Sequence, residues 1–224
     1  MVIGMYWRHL RLRISMNLKK ICFTIVATLA LFNASAQQEK PTIKTLLKNE
    51  FAAMQSYSAA FTQVVVDAQN VELQRAEGKL YLKQPQKLYW ETFEPNELTL
   101  IADGSTLWHV DPFVEQVIAI SQKDAVANHP IMLLAETDSP VWDDYSVTES
   151  NGNYKLSSVV ENAEYPSITL GFDKGLLSFL DLTDRSGQIN SLKFIKPTKN
   201  VELDEAIFRF SLPDGFELDD QRVD

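Results

Sequence analysis

The stretch ADGSTLWHVDPFVEQ, residues 102–116, decides the fold, because it holds a turn, a strand and a break in quick succession. Asp103-Gly104 is a turn signal, and a run of Thr, Leu, Trp, His and Val follows it. Asp111-Pro112 then breaks the strand, since proline has no N–H and forces the residue before it out of the helical region. Apolar residues begin again at Phe113. The stretch therefore predicts two short strands joined at a corner.

Short strand-like segments continue on both sides of this unit. They fall at 61–67, 78–83, 87–92, 98–102, 107–111, 116–120, 145–149, 154–158, 167–172, 177–183, 189–195 and 208–211. Turn residues such as Asn151-Gly152 and Pro213-Asp214-Gly215 separate them. This spacing predicts a mainly β fold, in which a single antiparallel sheet curls into a barrel or part of one.

Two segments read as helices instead. Residues 42–55 have apolar side chains at helical spacing with Thr42 as a candidate N-cap, which predicts an amphipathic helix covering the sheet. Residues 121–137 read as two short helices, with Pro130 near the start of the second. Because residues 131–134 are all apolar, that second helix must be covered on more than one side. We expect it to lie across the open end or the concave face of the sheet.

The first 36 residues resemble a secretory signal peptide. Met16 is the expected start, with residues 1–15 untranslated; Lys19 and Lys20 then precede an apolar run at 21–32 and the small residues Ala34-Ser35-Ala36. The alternative is a transmembrane anchor, but a twelve-residue apolar run is too short for a span of about 20 residues. We therefore expect cleavage after Ala36 and one mature domain at 37–224.

The mature chain is strongly acidic. Residues 1–36 hold 5 of the 21 basic residues and none of the 30 acidic ones, which leaves 16 − 30 = −14. That charge argues against a nucleic-acid partner and against resting on an anionic lipid surface, so we expect only transient membrane contact. The single cysteine, Cys22, lies within the predicted signal peptide, so no disulfide is expected.

Catalytic and metal-binding patterns are not found in the sequence. His109 and His129 are not spaced as a metal-ligand pair, and a lone histidine on a strand is more often structural. The carboxylate pair Asp143-Asp144 would point apart on a strand. The sequence also has no nucleophile elbow, phosphate loop or dinucleotide fingerprint. We therefore expect no enzymatic activity, no metal and no cofactor.

The strands carry many aromatic residues, which raises the question of what the sheet encloses. Leu88, Tyr89 and Trp90 are consecutive, so both faces of that strand bear large apolar groups. One face could pack under the first helix while the other lines a cavity. A filled barrel core explains the same composition equally well.

Several motifs in this order resemble those of the LolA family, over most of the mature chain. They are Phe61-Thr62-Gln63, Gly78-Lys79-Leu80, Lys83-Gln84-Pro85, Trp90, Trp108 with residues 111–116, Pro130 with Met132-Leu133, Pro213-Asp214-Gly215 and residues 219–222. The resemblance implies an incomplete (half) β-barrel, with an N-terminal helix and short helices as a lid over an apolar cavity.

The resemblance also implies a function. Such a protein is a soluble, monomeric periplasmic carrier. It takes triacylated lipoproteins from an ATP-driven inner-membrane release complex, LolCDE, and delivers them to an outer-membrane acceptor, LolB. The alternative is a periplasmic lipid- or lipoprotein-sensing interaction module on the same scaffold, although such regulators usually carry a second domain.

The resemblance places candidate site residues as well. By position, Tyr89, Trp90, Leu134 and Phe179 would line the cavity or the lid. The full candidate set for the acyl cavity and lid adds Phe61, Leu88, Trp108, Phe113, Met132, Leu133 and Phe172. The family commonly has an arginine at the position of Gln84, associated with holding the lid shut and handing over cargo, so Gln84 occupies the latch position.

Overall fold

A computed structural model of the chain describes residues 40–126 and 128–222, so the predicted signal peptide lies outside the described residues. The strands are β1 Ser56–Val66, β2 Glu72–Lys83, β3 Lys87–Thr92, β4 Leu98–Asp103, β5 Thr106–Asp111, β6 Gln116–Ser121, β7 Tyr145–Ser150, β8 Asn153–Ser158, β9 Ser167–Asp173, β10 Leu176–Thr183, β11 Ile189–Lys199 and β12 Glu217–Asp220. The helices are α1 Ile43–Ala53 and α2 Gln122–Ala125, and 3₁₀ turns span Pro130–Leu134, Pro140–Asp144 and Glu205–Phe208.

All twelve strands belong to one open sheet, in the order β12-β6-β5-β4-β3-β2-β1-β11-β10-β9-β8-β7. The prediction of a mainly β fold built on one sheet is confirmed. Eleven strands pair antiparallel with their neighbours, and hairpin turns join most of them. The exception is β12, which runs parallel to β6 at the edge, with Leu218 opposite Val117. The sheet is therefore not purely antiparallel.

The predicted strand at 208–211 is wrong. The Asp204 side chain accepts a hydrogen bond from the Ala206 N–H at 2.9 Å and caps a 3₁₀ turn that ends at Phe208. Phe208 is 2% exposed, so the apolar pattern there serves to cover the sheet. The last strand comes later, at β12, in a charged segment that carries no strand signal of its own.

One face of the sheet carries the core. Alternate residues of β2, β3 and β5 pack in the same apolar cluster as side chains from β8, β9 and β10, and include Leu80, Leu88, Leu107, Leu156 and Leu170. Because strands from both halves of the sheet meet in one cluster, this face is concave. Residues Pro41–Asp224 form one compact unit.

Helix α1 packs into the same concave face. Thr42 caps it as predicted, since its Oγ1 accepts from the Thr45 N–H at 3.1 Å. Leu47 and Phe51 are fully buried in the core cluster. The helix and the cavity therefore do not take opposite faces of β3, because α1 and the buried apolar side chains of β3 share one face.

Candidate functional site

A cavity of about 660 Å³ remains in the concave face beside the packed core. Its apolar lining comes mainly from strands in the middle of the sheet, from the β3–β4 connection and from the segment after α2, and includes Trp90, Leu98, Leu100, Leu182, Leu192 and Ile131. Its polar lining includes Gln63, Asn190, His109, Asp111, Asn128 and His129. The sheet is therefore neither a filled barrel nor an empty one: part of its concave face is packed and part lines a cavity.

Trp90 is held in place by an aromatic partner from β1. The ring of Phe61 stacks on Trp90 with centroids 4.1 Å apart. Phe61 reaches it by crossing Gly78 of β2, where an added Cβ would lie 2.3 Å from the Phe61 ring and 2.1 Å from the Glu91 carbonyl oxygen. Any side chain at position 78 would therefore displace the Phe61 ring. The glycine thus lets β1 place an aromatic wall beside the cavity.

The 3₁₀ turn Pro130–Leu134, here called the lid segment, closes this region from the side opposite the sheet. Pro130 and Ile131 line the cavity. Met132, Leu133 and Leu134 are at most 2% exposed and belong to the core cluster. Their consecutive apolar side chains are covered on more than one side, as predicted, because one side faces the cavity and another the packed core.

Gln84 ties the lid segment to the rest of the molecule. Its Nε2 donates to the Leu134 carbonyl oxygen at 3.1 Å and to the Phe51 carbonyl oxygen at 3.4 Å. The backbone N–H of Gln86 adds a bond to the Ala135 carbonyl oxygen at 3.0 Å. The β2–β3 turn thus contacts both the lid segment and α1.

A second polar connection at the lid was not anticipated from the sequence. Gln122 of α2 is buried, and its Nε2 donates to the Gln86 carbonyl oxygen and to Glu136 Oε1, both at 2.7 Å. Its own Oε1 accepts from the Gly104 N–H at 3.0 Å. Burial raises the pKa of Glu136, and the hydrogen bond from Gln122 opposes that rise. Polar residues at the end of a strand give no sequence signal for such a cluster.

Two further candidates lie on the concave face, Leu88 buried and Phe172 half-buried, but do not line the cavity. Leu88 is fully buried in the core cluster beside Trp90. Phe172 packs beneath α1, with its ring 5.8 Å from those of Phe51 and Tyr154. Phe113 lies at the edge of the cavity in the β5–β6 turn, where it is 93% exposed.

Tyr89 and Trp108 lie on the convex face, so the structure does not bring them to the cavity. Tyr89 packs against Tyr81 with ring centroids 5.9 Å apart. Trp108 stacks on Phe210 with centroids 4.2 Å apart and donates its indole N–H to Asp103 at 2.9 Å. Both residues alternate with concave-face neighbours along their strands, and the segment before β12 provides the apolar cover that Trp108 needs.

Phe179 also lies on the convex face. It sits opposite Gly171 in the β9–β10 pairing, and an added Cβ at Gly171 would be 2.2 Å from the Phe179 ring. Its neighbour Leu180 points into the core. The Phe179 ring therefore covers Gly171 on the convex face of the sheet.

His109 and His129 line the same cavity, although no sequence pattern pairs them. Burial lowers the pKa of His109, partly offset by the carboxylate of Asp111. Burial also lowers the pKa of His129, and His109 lowers it further. The two imidazoles are thus neighbours held toward their neutral forms.

No helix among the described residues is long and apolar enough to cross a membrane. Within the same residues, no group of three or more His, Cys, Asp and Glu side chains could hold a metal ion.

Comparison with known proteins identifies the family. The family model for the outer membrane lipoprotein carrier protein LolA matches residues 52–211. An outer-membrane lipoprotein carrier protein of Glaesserella parasuis is 37% identical over 92% of this chain and 98% of its own length. One from Aeromonas salmonicida is 37% identical over 79% of this chain and 88% of its own length. A solved LolA-superfamily protein of Nitrosomonas europaea is 12% identical, with a TM-score of 0.40, and the match covers 74% of this chain and 96% of that one. The chain therefore belongs to the LolA family of outer-membrane lipoprotein carrier proteins.

Proposed function

We propose that this protein is a non-enzymatic carrier that holds the acyl chains of lipoproteins in its concave face while they cross between two membranes. The carrier function agrees with its family and with its named relatives. The observation that carries the proposal is the apolar cavity between the sheet and the lid segment. Trp90, Leu100 and Ile131 offer it an acyl-compatible lining, each at most 7% exposed.

The size of the cavity agrees with a closed form of the carrier. A volume of about 660 Å³ falls in the range of roughly 300–1,000 Å³ that suits one small ligand. Three acyl chains need more room than that. The lid segment must therefore move away from the sheet when cargo enters, which would free the surface now covered by Met132, Leu133 and Leu134.

We further propose that the cargo arrives from the inner-membrane release complex LolCDE and leaves to the outer-membrane acceptor LolB. The expected signal peptide supports this route, since it would direct residues 37–224 to the periplasm. No nucleotide-binding motif occurs in the sequence, so the energy for extracting a lipid anchor from the inner membrane would come from the release complex. The acidic mature chain would limit its residence on anionic membranes.

The test uses tryptophan fluorescence with a diacylated peptide that carries bromine atoms along one acyl chain. We expect bromine to quench Trp90 on binding. Trp90→Ala should lose most of that quenching and weaken binding. Trp108→Ala is the matched control, because it removes the same side chain from the convex face and should bind the peptide as the wild type does.

Two outcomes would contradict the proposal. Equal binding by Trp90→Ala and the wild type would place the acyl chains elsewhere. A stable complex with a membrane regulator, in a protein that binds no acylated peptide, would favour the sensing module instead. Native mass spectrometry of the exported protein distinguishes that regulator complex from bound lipoprotein.

A further inference from the structure

A side chain that lines the cavity carries a buried polar atom without a hydrogen-bond partner. Nδ1 of His109 is the one buried side-chain nitrogen or oxygen found without a hydrogen-bond partner among residues 40–126 and 128–222. Buried polar atoms are nearly always paired, so each exception calls for an explanation, such as a group that binds there. His109 is at the centre of β5, opposite Leu100 and Ile118, and its side chain lines the cavity.

A second imidazole approaches the same space from the lid. His129 occupies the N-cap position of the lid segment, yet its side chain makes no capping hydrogen bond. It lines the cavity and interacts electrostatically with His109. The neutral form of each ring carries one N–H donor and one acceptor nitrogen. One donor therefore comes from the sheet and another from the end of the lid segment.

The surroundings of the two rings restrict what they could bind. The apolar lining, including Trp90, Leu98 and Leu192, suits a hydrocarbon chain. The acidic residues Asp111 and Glu97 also line the cavity and would repel a carboxylate at the end of such a chain. An uncharged carbonyl oxygen would accept an N–H donor without that repulsion. Acyl chains joined through an ester or an amide have this combination of an apolar tail and a neutral acceptor.

We propose that His109 and His129 form a binding pair for the carbonyl oxygens of the ester and amide groups that join acyl chains to the cargo. This inference rests on the proposed function, since it names the chemical group that the same cavity recognises. It makes the two histidines specificity-determining residues: they favour acyl esters and amides over ethers, which lack the carbonyl, and over free fatty acids, which are anionic.

The first experiment compares two ligands that differ only in the carbonyl. Wild-type protein should bind 1-dodecanoylglycerol about three- to tenfold more tightly than 1-O-dodecylglycerol, as expected for one or two neutral hydrogen bonds. His109→Phe should lose a large part of that preference, because only His129 still donates, and should keep the affinity for the ether. Tyr89→Phe, which removes a hydroxyl from the convex face, should keep the wild-type preference. Dodecanoic acid should bind more weakly than the ester.

His109→Gln is the control for a loss of folding in His109→Phe. Glutamine retains an N–H donor, so it should restore part of the preference for the ester. Nitrogen-15 NMR of the imidazoles adds a readout that a packing role would not change. The His109 nitrogen resonances should shift on addition of the ester and stay in place with the ether.

The source of the carbonyl is tested with two diacyl ligands of equal chain length, a diacylglyceryl-cysteine peptide and phosphatidylglycerol. Tighter binding of the peptide assigns the pair to lipoproteins, and equal or tighter binding of the phospholipid assigns it to membrane lipid; both outcomes support carbonyl recognition. The inference is overturned if the wild type binds ester and ether equally, or if His109→Phe keeps the preference. Failure to bind any of these ligands would instead overturn the proposed carrier function.

Discussion

Replacing Gln84 by leucine should loosen the lid segment by a predictable amount. The substitution removes the hydrogen bond to the Leu134 carbonyl oxygen at 3.1 Å and the longer one to Phe51 at 3.4 Å. A neutral hydrogen bond contributes about 0.5–1.5 kcal/mol, and the 3.4 Å contact lies beyond the usual range, so the loss is about 1 kcal/mol. That energy shifts the equilibrium between closed and open forms about fivefold toward the open form.

The effect should stay modest because the lid has other anchors. The backbone bond from Gln86 to Ala135 and the bond from Gln122 to Glu136 do not depend on the side chain at position 84. We therefore expect residues 130–136 to lose about fivefold in hydrogen-exchange protection without a loss of folding. Cargo should be accepted more readily and transferred to the acceptor about fivefold more slowly.

Gln84→Arg should act in the opposite direction, but less than its extra donors suggest. Bonds from a charged donor contribute about 1.5–3 kcal/mol. However, Lys83 and Lys87 on the same turn already share the carboxylate of Glu205. A third cation at this turn would add to two like charges, which reduces the gain. Faster transfer and weaker retention of cargo are still expected.

The assay is transfer in a reconstituted donor–carrier–acceptor system, read beside hydrogen exchange of the lid segment. Gln69→Leu is the matched control, because it makes the same chemical change in the exposed β1–β2 turn. Gln84 is not the latch if hydrogen-exchange protection of the lid segment and the rate of cargo transfer are the same in Gln84→Leu, Gln84→Arg and the control. Lys83 and Lys87 would then be the next residues to test.

Three further predictions concern the cavity, the lid and the exported form. Trp90→Glu should abolish acyl binding, because a carboxylate in an apolar cavity stays hydrated or takes up a proton. Binding at wild-type affinity would show that the acyl chains do not contact the Trp90 side of the cavity. Leu134→Glu should instead destabilise the fold, since Leu134 is 2% exposed and in the core, and thermal unfolding measures the loss. Burial raises the pKa of Glu136 above its ordinary value of 4.5, so the folded protein binds that proton more strongly and stability falls as pH rises through the raised pKa. Glu136→Gln should therefore raise the melting temperature at pH 7, by about 2–4 °C for each kcal/mol relieved, with the gain vanishing below pH 4.5; a gain that is independent of pH would contradict this assignment. N-terminal sequencing of the exported protein should begin at Gln37, and a retained apolar segment would contradict the shuttle.

The strands were predictable because each depends on local chemistry. Alternation of apolar residues and turn pairs such as Asp103-Gly104 placed β3 to β6 within a residue or so of their observed bounds. The predicted strand at 208–211 did not form, and the Asp204 side chain instead caps a 3₁₀ turn that ends at Phe208. Strand β12 was missed because its sequence, ELDD, has no strand character and depends on the edge of β6 for its pairing.

The site was less predictable than the fold, because sequence does not say which face of a strand is covered by what. Leu88, Tyr89 and Trp90 are three consecutive large side chains, and the sequence does not show which of them face the core. Only the structure shows that Leu88 and Trp90 enter the core cluster while Tyr89 lies on the other side, hydrogen-bonded to Glu91 at 2.7 Å. The meeting of His109 and His129 likewise depends on the lid segment folding back over β5, which no local pattern encodes.

The lid segment explains how a carrier could release cargo that it holds by apolar contact. Its side chains Ile131–Leu134 are all at most 7% exposed, and burying each contributes about 1.5–3 kcal/mol, or about 6–12 kcal/mol together. One acyl chain of about 16 carbons gains about 12 kcal/mol on leaving water, at about 0.8 kcal/mol per CH₂. The lid segment and one acyl chain therefore compete for the same surface with free energies of the same order. The hydrogen bond from Gln84 adds about 1 kcal/mol to the closed side of this competition, so its loss shifts the balance about fivefold toward the cargo.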